Sequence, residues 1–249
     1  MSDDLRELFA KAKGVAAIAR QGWSQKASRR FEVAGAPCDL SVGTDEQPGA
    51  PGEPDRWGLD ALRGRLVELS ARGATATLTT AIELVLEAQQ ADEPVAWVTL
   101  GNATFYPPDV ADSGVDLEAL VVVRVHDIVA AARAAERLLR SGGFGLVVLD
   151  FAGTALDLPI AQPISFLGRL VTLAQTHDAA VVCITEKPNE APSLGSLVSL
   201  RAEALRRHAP EAAESSSDRS YHVTLRALKD KRRGPGWSRT TKLRGPSGL

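Results

Sequence analysis

The chain has 249 residues, 44% hydrophobic and 24% charged, with a formal net charge of −2; this is ordinary globular composition, enough for one substantial core. No apolar run reaches the about 18 residues that a membrane-crossing helix needs, and the charged start MSDDLRELF is unlike a secretory signal, so a cytoplasmic protein without a membrane role is expected. Cys38 and Cys183 make no metal spacing with the four histidines and are expected as free thiols, Cys183 in the core, with no bound metal or cofactor.

Residues 3–20 repeat apolar positions at Leu5, Leu8, Phe9, Ala12, Val15 and Ile18, a helical stripe that needs a surface to pack on. From 34 to 56 glycine, proline and acid dominate and periodicity stops, as in a linker. The chain thus divides into an N-terminal helical segment (1–33), a linker (34–56), a core (57–225) and a basic tail (226–249).

The informative stretch is 62–91. Leu66, Glu68 and Ser70 alternate with Arg65, Val67 and Leu69, and apolar residues then recur every three or four positions at Leu78, Ile82, Leu84, Val85 and Ala88, so a strand feeds a helix. Between them lies the place of a phosphate loop, whose pattern is Gly, four residues, Gly, Lys and Ser or Thr. The frame reads Ala71, then Arg72-Gly73-Ala74-Thr75, then Ala76-Thr77-Leu78. Glycines let backbone amides approach phosphate, the lysine puts a charge on it and the hydroxyl holds magnesium. Ala71 and Ala76 carry Cβ atoms where positive φ is required, Thr77 is uncharged and Leu78 binds no metal; Arg72 alone offers a replacement charge.

Pro94–Leu100, with Val95, Trp97 and Val98, reads as a second strand and Leu117–Val125 as a third. Asp127–Ser141 is helical and stopped by Gly142-Gly143. Leu146–Asp150 is a hydrophobic strand ending in a carboxylate, the pattern that positions magnesium in phosphate-loop ATPases; without the lysine and the hydroxyl, Asp150 is expected to hold the loop behind it. Residues 163–178 read as a helix and Ala179–Thr185 as a buried strand. After Ser193 a helix is expected through Arg207, then a polar connection (209–219). Tyr221–Arg226 alternates as an antiparallel edge strand, and Leu228–Gly234 leads into a turn. Alternating strands and helices imply parallel pairing with right-handed crossovers. His126-Asp127 and His177-Asp178 resemble catalytic pairs, but adjacent helical residues point apart.

In order and spacing, GRLVELS, the loop, TTAIELVLEAQQ, VAWVTL, SGVDLEALVVV and FGLVVLD resemble the core of the RecA recombinase family over residues 57–150, and more weakly to the C-terminus. Among RecA relatives, short chains with a degenerate phosphate loop are similar to the ImuA family of inducible mutagenesis cassettes; the cell-division inhibitor SulA, of related descent, is the competing resemblance. What the resemblance implies is a RecA-like three-layer α/β fold, with a mainly parallel twisted sheet flanked by helices and an antiparallel C-terminal edge. It also implies further losses: the water-activating glutamate falls near Gly101-Asn102, the γ-phosphate sensor at Thr185-Glu186, and the mobile DNA loop is short. LKDKRRGPG resembles the place where RecA offers lysines to a nucleotide across a subunit boundary. The implied role is a non-catalytic accessory protein of the DNA-damage response that binds a Y-family-like polymerase adaptor, with RecA, DNA and self-association as further options.

The tail carries Arg226, Lys229, Lys231, Arg232, Arg233, Arg239, Lys242 and Arg244 against Asp230, seven net positive charges in 24 residues, which leaves −9 on the other 225. With six Gly and Pro residues after Arg233 it reads as a flexible arm for a polyanion or an acidic partner, in which Trp237 either stacks on a base or anchors the tail to the core.

Overall fold

The computed structural model describes residues 56–101, 105–153, 164–208 and 220–244. The expected N-terminal helix, nearly all of the linker and the 209–219 connection lie outside these residues. Within them, eight strands form one sheet in the order β3-β2-β4-β5-β1-β6-β7-β8. Strands β1 (Leu66–Ser70), β2 (Val95–Leu100), β3 (Leu120–Val125), β4 (Leu146–Asp150), β5 (Ala180–Thr185) and β6 (Leu200–His208) are parallel, and β7 (Ser220–Asp230) and β8 (Ser238–Arg244) close it antiparallel.

Helices cover both faces. Val67 and Leu69 of β1 pack with α1 (Leu59–Leu62), α2 (Thr77–Gln90) and α3 (Pro107–Asp112), whereas Leu66 packs with α4 (Ile128–Arg140) and α5 (Ile164–Thr176). The two sides therefore follow the alternation read in the sequence, and β1, flanked by β5 and β6, is buried at every position. Asp127 caps α4 by accepting the Ala130 amide at 2.6 Å, and Gly142, at φ +66°, ends it. No helix among the described residues is long and apolar enough to cross a membrane.

Several sequence expectations change. The segment expected as a helix through Arg207 is strand β6 from Leu200. Its Leu, Ala, Glu and Arg favour helix intrinsically, but Leu200, Ala202 and Ala204 alternate into the core, and pairing with β1 on one side and β7 on the other overrides propensity. The edge is not formed by 221–226, because β8 pairs outside it. The third strand starts at Leu120, after a 3-10 turn at Leu117–Ala119.

The largest correction concerns the basic tail. Residues 226–230 complete β7 and 238–244 form β8, so the boundary at 225/226 falls inside a strand and a flexible arm is replaced by a hairpin. Gly234 and Gly236, at φ +79° and +94°, form its turn instead of keeping the segment from regular structure. Trp237 anchors the hairpin: it is 9% exposed, packs in the core and donates from Nε1 to Asp230 Oδ2 at 3.2 Å.

Candidate functional site

The β1-to-α2 turn sits at the C-terminal end of a central parallel strand, where open α/β sheets place ligands. Ala71 is buried, Arg72 to Thr75 are exposed, and Ala76 and Thr77 are buried again. Three amides of the turn are committed elsewhere. Thr75 N donates to Gly73 O (2.8 Å), Ala76 N to Ala204 O (3.0 Å) and Thr77 N to Thr75 Oγ1 (3.2 Å), while Ala74 O accepts Arg206 N (2.8 Å). The first amides of a helix have no partner within it, and at this start Ala76 finds one in β6 and Thr77 one in its own loop, with no side-chain cap from Ala76.

The loop is also shaped differently from the expectation. Only Gly73 has positive φ, +85°, and Ala76 has φ −124°, so neither alanine is strained. Thr77 turns its hydroxyl to Thr75 Oγ1 at 3.0 Å, and Leu78 packs against the α2-side core. Arg72 is exposed. The loop lacks the lysine of a phosphate-binding loop, its Thr75 and Thr77 hydroxyls bond each other, and three of its amides are committed.

Asp150 ends β4 beside β2 with no exposed surface. Its Oδ1 accepts the Ala152 amide at 3.1 Å, and Thr99 Oγ1 reaches Oδ2 at 3.5 Å. Burial pushes its pKa up, while the Ala152 amide, the Trp97 indole and the Thr99 hydroxyl pull the other way. Trp97, stacked at a tilt on Phe105 with ring centres 5.3 Å apart, fills the core on this side. Asp150 thus holds the β4 turn, as its sequence context suggested. Gly101, near which the resemblance places a water-activating glutamate, carries no side chain, and Asn102 lies outside the described residues.

Two buried charges that the sequence reading passed over organise the other loop. Glu68 of β1 is fully buried; it pairs with Lys187 Nζ at 2.5 Å and accepts from Thr185 Oγ1 (3.0 Å) and from the Leu194 amide (2.8 Å). Arg201 of β6, 4% exposed, donates to Ser70 Oγ (3.1 Å) and to the carbonyls of Pro188 (2.7 Å) and Ala191. The segment after β5, the counterpart of a mobile DNA loop in the resemblance, is thereby fastened to the sheet. The available signal was a charge at a core-facing strand position, in LVELS and in LRAEAL.

The tail cations do not form one patch. At the β7–β8 turn, Lys229 Nζ binds Ser193 Oγ and Gly195 O (3.3 and 3.4 Å), Lys231 the Ser196 carbonyl and Arg232 the Arg63 carbonyl (3.3 Å). Burial lowers the Lys229 pKa, with Lys231 adding to the shift. Arg233 contributes its amide to Asp230 Oδ1 at 3.3 Å. Arg226 pairs with Glu203 at 2.8 Å, and Arg239 reaches Trp57 O at 3.3 Å and Glu83 at 3.7 Å. Lys242 is exposed on β8, and Arg244 ends that strand. His126 and Asp127 do not point apart as expected: both precede α4, and His126 Nε2 lies 3.5 Å from Asp127 Oδ2 on the surface while Asp127 caps the helix; His177 packs beside Gly142. Cys183 is buried, which pushes its thiol pKa up, and no group of His, Cys, Asp and Glu among the described residues could hold a metal.

Helices on both faces of a mainly parallel sheet, with an altered phosphate-loop frame after its central strand, define a three-layer α/β protein of RecA-like architecture. Over 89 residues, 35% of the chain, it is 36% identical to Protein RecA of Nocardioides sp. (strain ATCC BAA-499 / JS614), a distant homology, and it spans 25% of that protein's length. No protein-family model matches the chain.

Proposed function

We propose that this chain is a non-catalytic RecA-like accessory protein of the bacterial DNA-damage response, supporting error-prone translesion synthesis by binding a Y-family-like polymerase adaptor, as ImuA-type proteins are expected to do. One observation carries the non-catalytic part: the amides of Thr75, Ala76 and Thr77, which a phosphate loop turns toward its ligand, are spent on the loop itself and on β6. The distant similarity to RecA supports the setting. A RecA-like body that neither cradles phosphate nor frees its second loop retains surfaces for protein contact and DNA contact.

The test combines two measurements on the full chain. Pull-downs with a purified polymerase adaptor and with the tubulin-like division protein separate the roles, and capture of the adaptor alone is expected; capture of the division protein alone transfers the chain to a SulA-like inhibitor. Calorimetry with magnesium and ATP is expected to show no binding, and Thr77→Lys is expected to restore no turnover, because Leu78, Gly101 and the committed amides remain. Micromolar, magnesium-dependent binding by the unmodified chain would overturn the non-catalytic reading.

A further inference from the structure

The turn after β1 is tied to the end of β6, where basic residues of three strands lie side by side. Its carbonyl at Ala74 accepts the Arg206 amide, and Thr75 bridges Leu205, so exposed Arg72 is tied by backbone to the end of β6. There Arg207 pairs with His222 of β7, which pairs with Lys242 of β8. Directly paired residues point to the same face of a sheet, so Arg207, His222 and Lys242 form one row across three strands.

Two further rows continue down that face. Leu205, Thr224 and Thr240 come next, with the two threonine hydroxyls 3.1 Å apart, then Glu203, Arg226 and Ser238. The helices of this layer, α4 and α5, pack over β1 to β5, and Arg207, Arg226, Ser238, Thr240 and Lys242 are exposed. Glu203 is the one acid in the three rows, and Arg226 already pairs with it. On a chain of net charge −2 this face is cationic and bears hydroxyls.

We propose that this face, with Arg72 at its rim, binds the sugar-phosphate backbone of nucleic acid. Arg207, Lys242 and Arg72 supply the charge, and Ser238 and Thr240 supply hydroxyl donors, the side-chain types that contact phosphate without reading bases. Among the described residues neither Tyr221 nor Trp237 offers this face a stacking platform, since Tyr221 lies on the opposite face under Arg206, 5.8 Å from ring centre to guanidinium, and Trp237 is buried. Binding is therefore driven by charge, indifferent to sequence and sensitive to salt. The inference rests on the DNA-contact part of the accessory reading and is independent of adaptor binding.

The experiment is fluorescence anisotropy of labelled single- and double-stranded oligonucleotides with the full chain across a salt series. The two arms show which form of the backbone is preferred. Arg207→Gln with Lys242→Gln is compared with Lys231→Gln and Arg233→Gln, which remove the same charge at the opposite end of the sheet. Loss of two phosphate contacts is expected to make the slope of log K against log salt shallower by about 1.4 for single strands and about 1.8 for duplex, while the opposite-end variant keeps the original slope. Should either pair lose its cooperative melt, its single substitutions are read in the same way. No binding by the unmodified chain at low salt, equal loss in both variants, or an unchanged slope in the first would overturn the proposal. Competition by polyglutamate as strong as by DNA of equal charge would also overturn it, in favour of an acidic protein ligand. None of these outcomes alters the adaptor pull-down, so the two readings fail separately.

Discussion

Arg65 and Asp230, 165 residues apart in sequence, meet at 2.6 Å with 1% and 0% of their side chains exposed. Asp230 Oδ1 also accepts the Arg232 amide at 2.9 Å, and Oδ2 accepts the Trp237 indole, so one carboxylate ties the start of β1 to the hairpin turn and to the aromatic anchor. Removing a single partner of a buried pair strands the other charge, which costs about 3–5 kcal/mol. Asp230→Ala is expected to lose stability in that range by urea unfolding, whereas Arg65→Met combined with Asp230→Leu should cost less than the two single changes added together. Additive costs would mean that the two side chains do not depend on each other.

The same carboxylate sets a pH dependence. Although burial opposes it, the Arg232 amide, the Arg65 guanidinium and the Trp237 indole hold Asp230 below the usual carboxylate range. A depressed folded pKa gives stability that is complete above the unfolded value, about 4, and is lost as pH falls through the folded value. Acid titration of unfolding free energy should therefore be flatter for Asp230→Asn than for the unmodified chain below that pH. Parallel curves would remove Asp230 from the acid response.

Asp150 works with the opposite sign. Its folded pKa is raised mainly by burial, so the protonated form is favoured in the native state, and its contribution declines as pH rises from about 4 toward the folded value. Asp150→Asn keeps an acceptor for the Ala152 amide without a buried charge, and its stability relative to the unmodified chain should improve between pH 4 and pH 7. Asp150→Ala leaves that amide unpaired and should lose about 1–3 kcal/mol. If Asn and Ala were equally destabilising at neutral pH, a needed negative charge would have to replace the loop-holding role.

The fastened loop after β5 gives a fourth prediction. Arg201→Met removes the donor for Ser70 and for the Pro188 and Ala191 carbonyls, and should accelerate hydrogen exchange at Ala191 and at Leu194, whose amide is held by Glu68. The global stability loss should be about 1–3 kcal/mol, mainly from the buried Ser70 hydroxyl losing its donor, with the half-buried carbonyls adding less. Unchanged exchange at both amides would show that the segment holds its shape without the guanidinium.

The central fold was legible because β1 alternates and β2, β4 and β5 are short apolar runs, with amphipathic helices between them. Asp150 was legible as a loop holder because its partners for metal chemistry were missing from the loop itself. The C-terminal third was misread for identifiable reasons. LRAEALRRH is composed of helix formers and becomes a strand between β1, over a hundred residues away in sequence, and β7, and the glycines of 234–236 look alike whether they loosen a chain or turn a hairpin. Glu68 and Arg201 were hidden because a charge at a core position declares itself only through its partner, and Lys187 and the 188–191 carbonyls lie far along the chain.

The position of β1 has a consequence for biosynthesis. Its neighbours are β5, where Leu66 faces Val181, and β6, where Val67 faces Leu200, so the first of the described strands to be made is the one that waits longest for both its neighbours. At about 5–20 residues per second on the ribosome, the more than one hundred residues separating β1 from β5 take roughly 6–25 s to synthesise. Throughout that interval an apolar strand and the helix behind it are held without their pairing partners. A nascent chain stopped between β4 and β5 can pair β3, β2 and β4 but holds β1 outside that sheet, and β1 is expected to join only once β5 has left the exit tunnel.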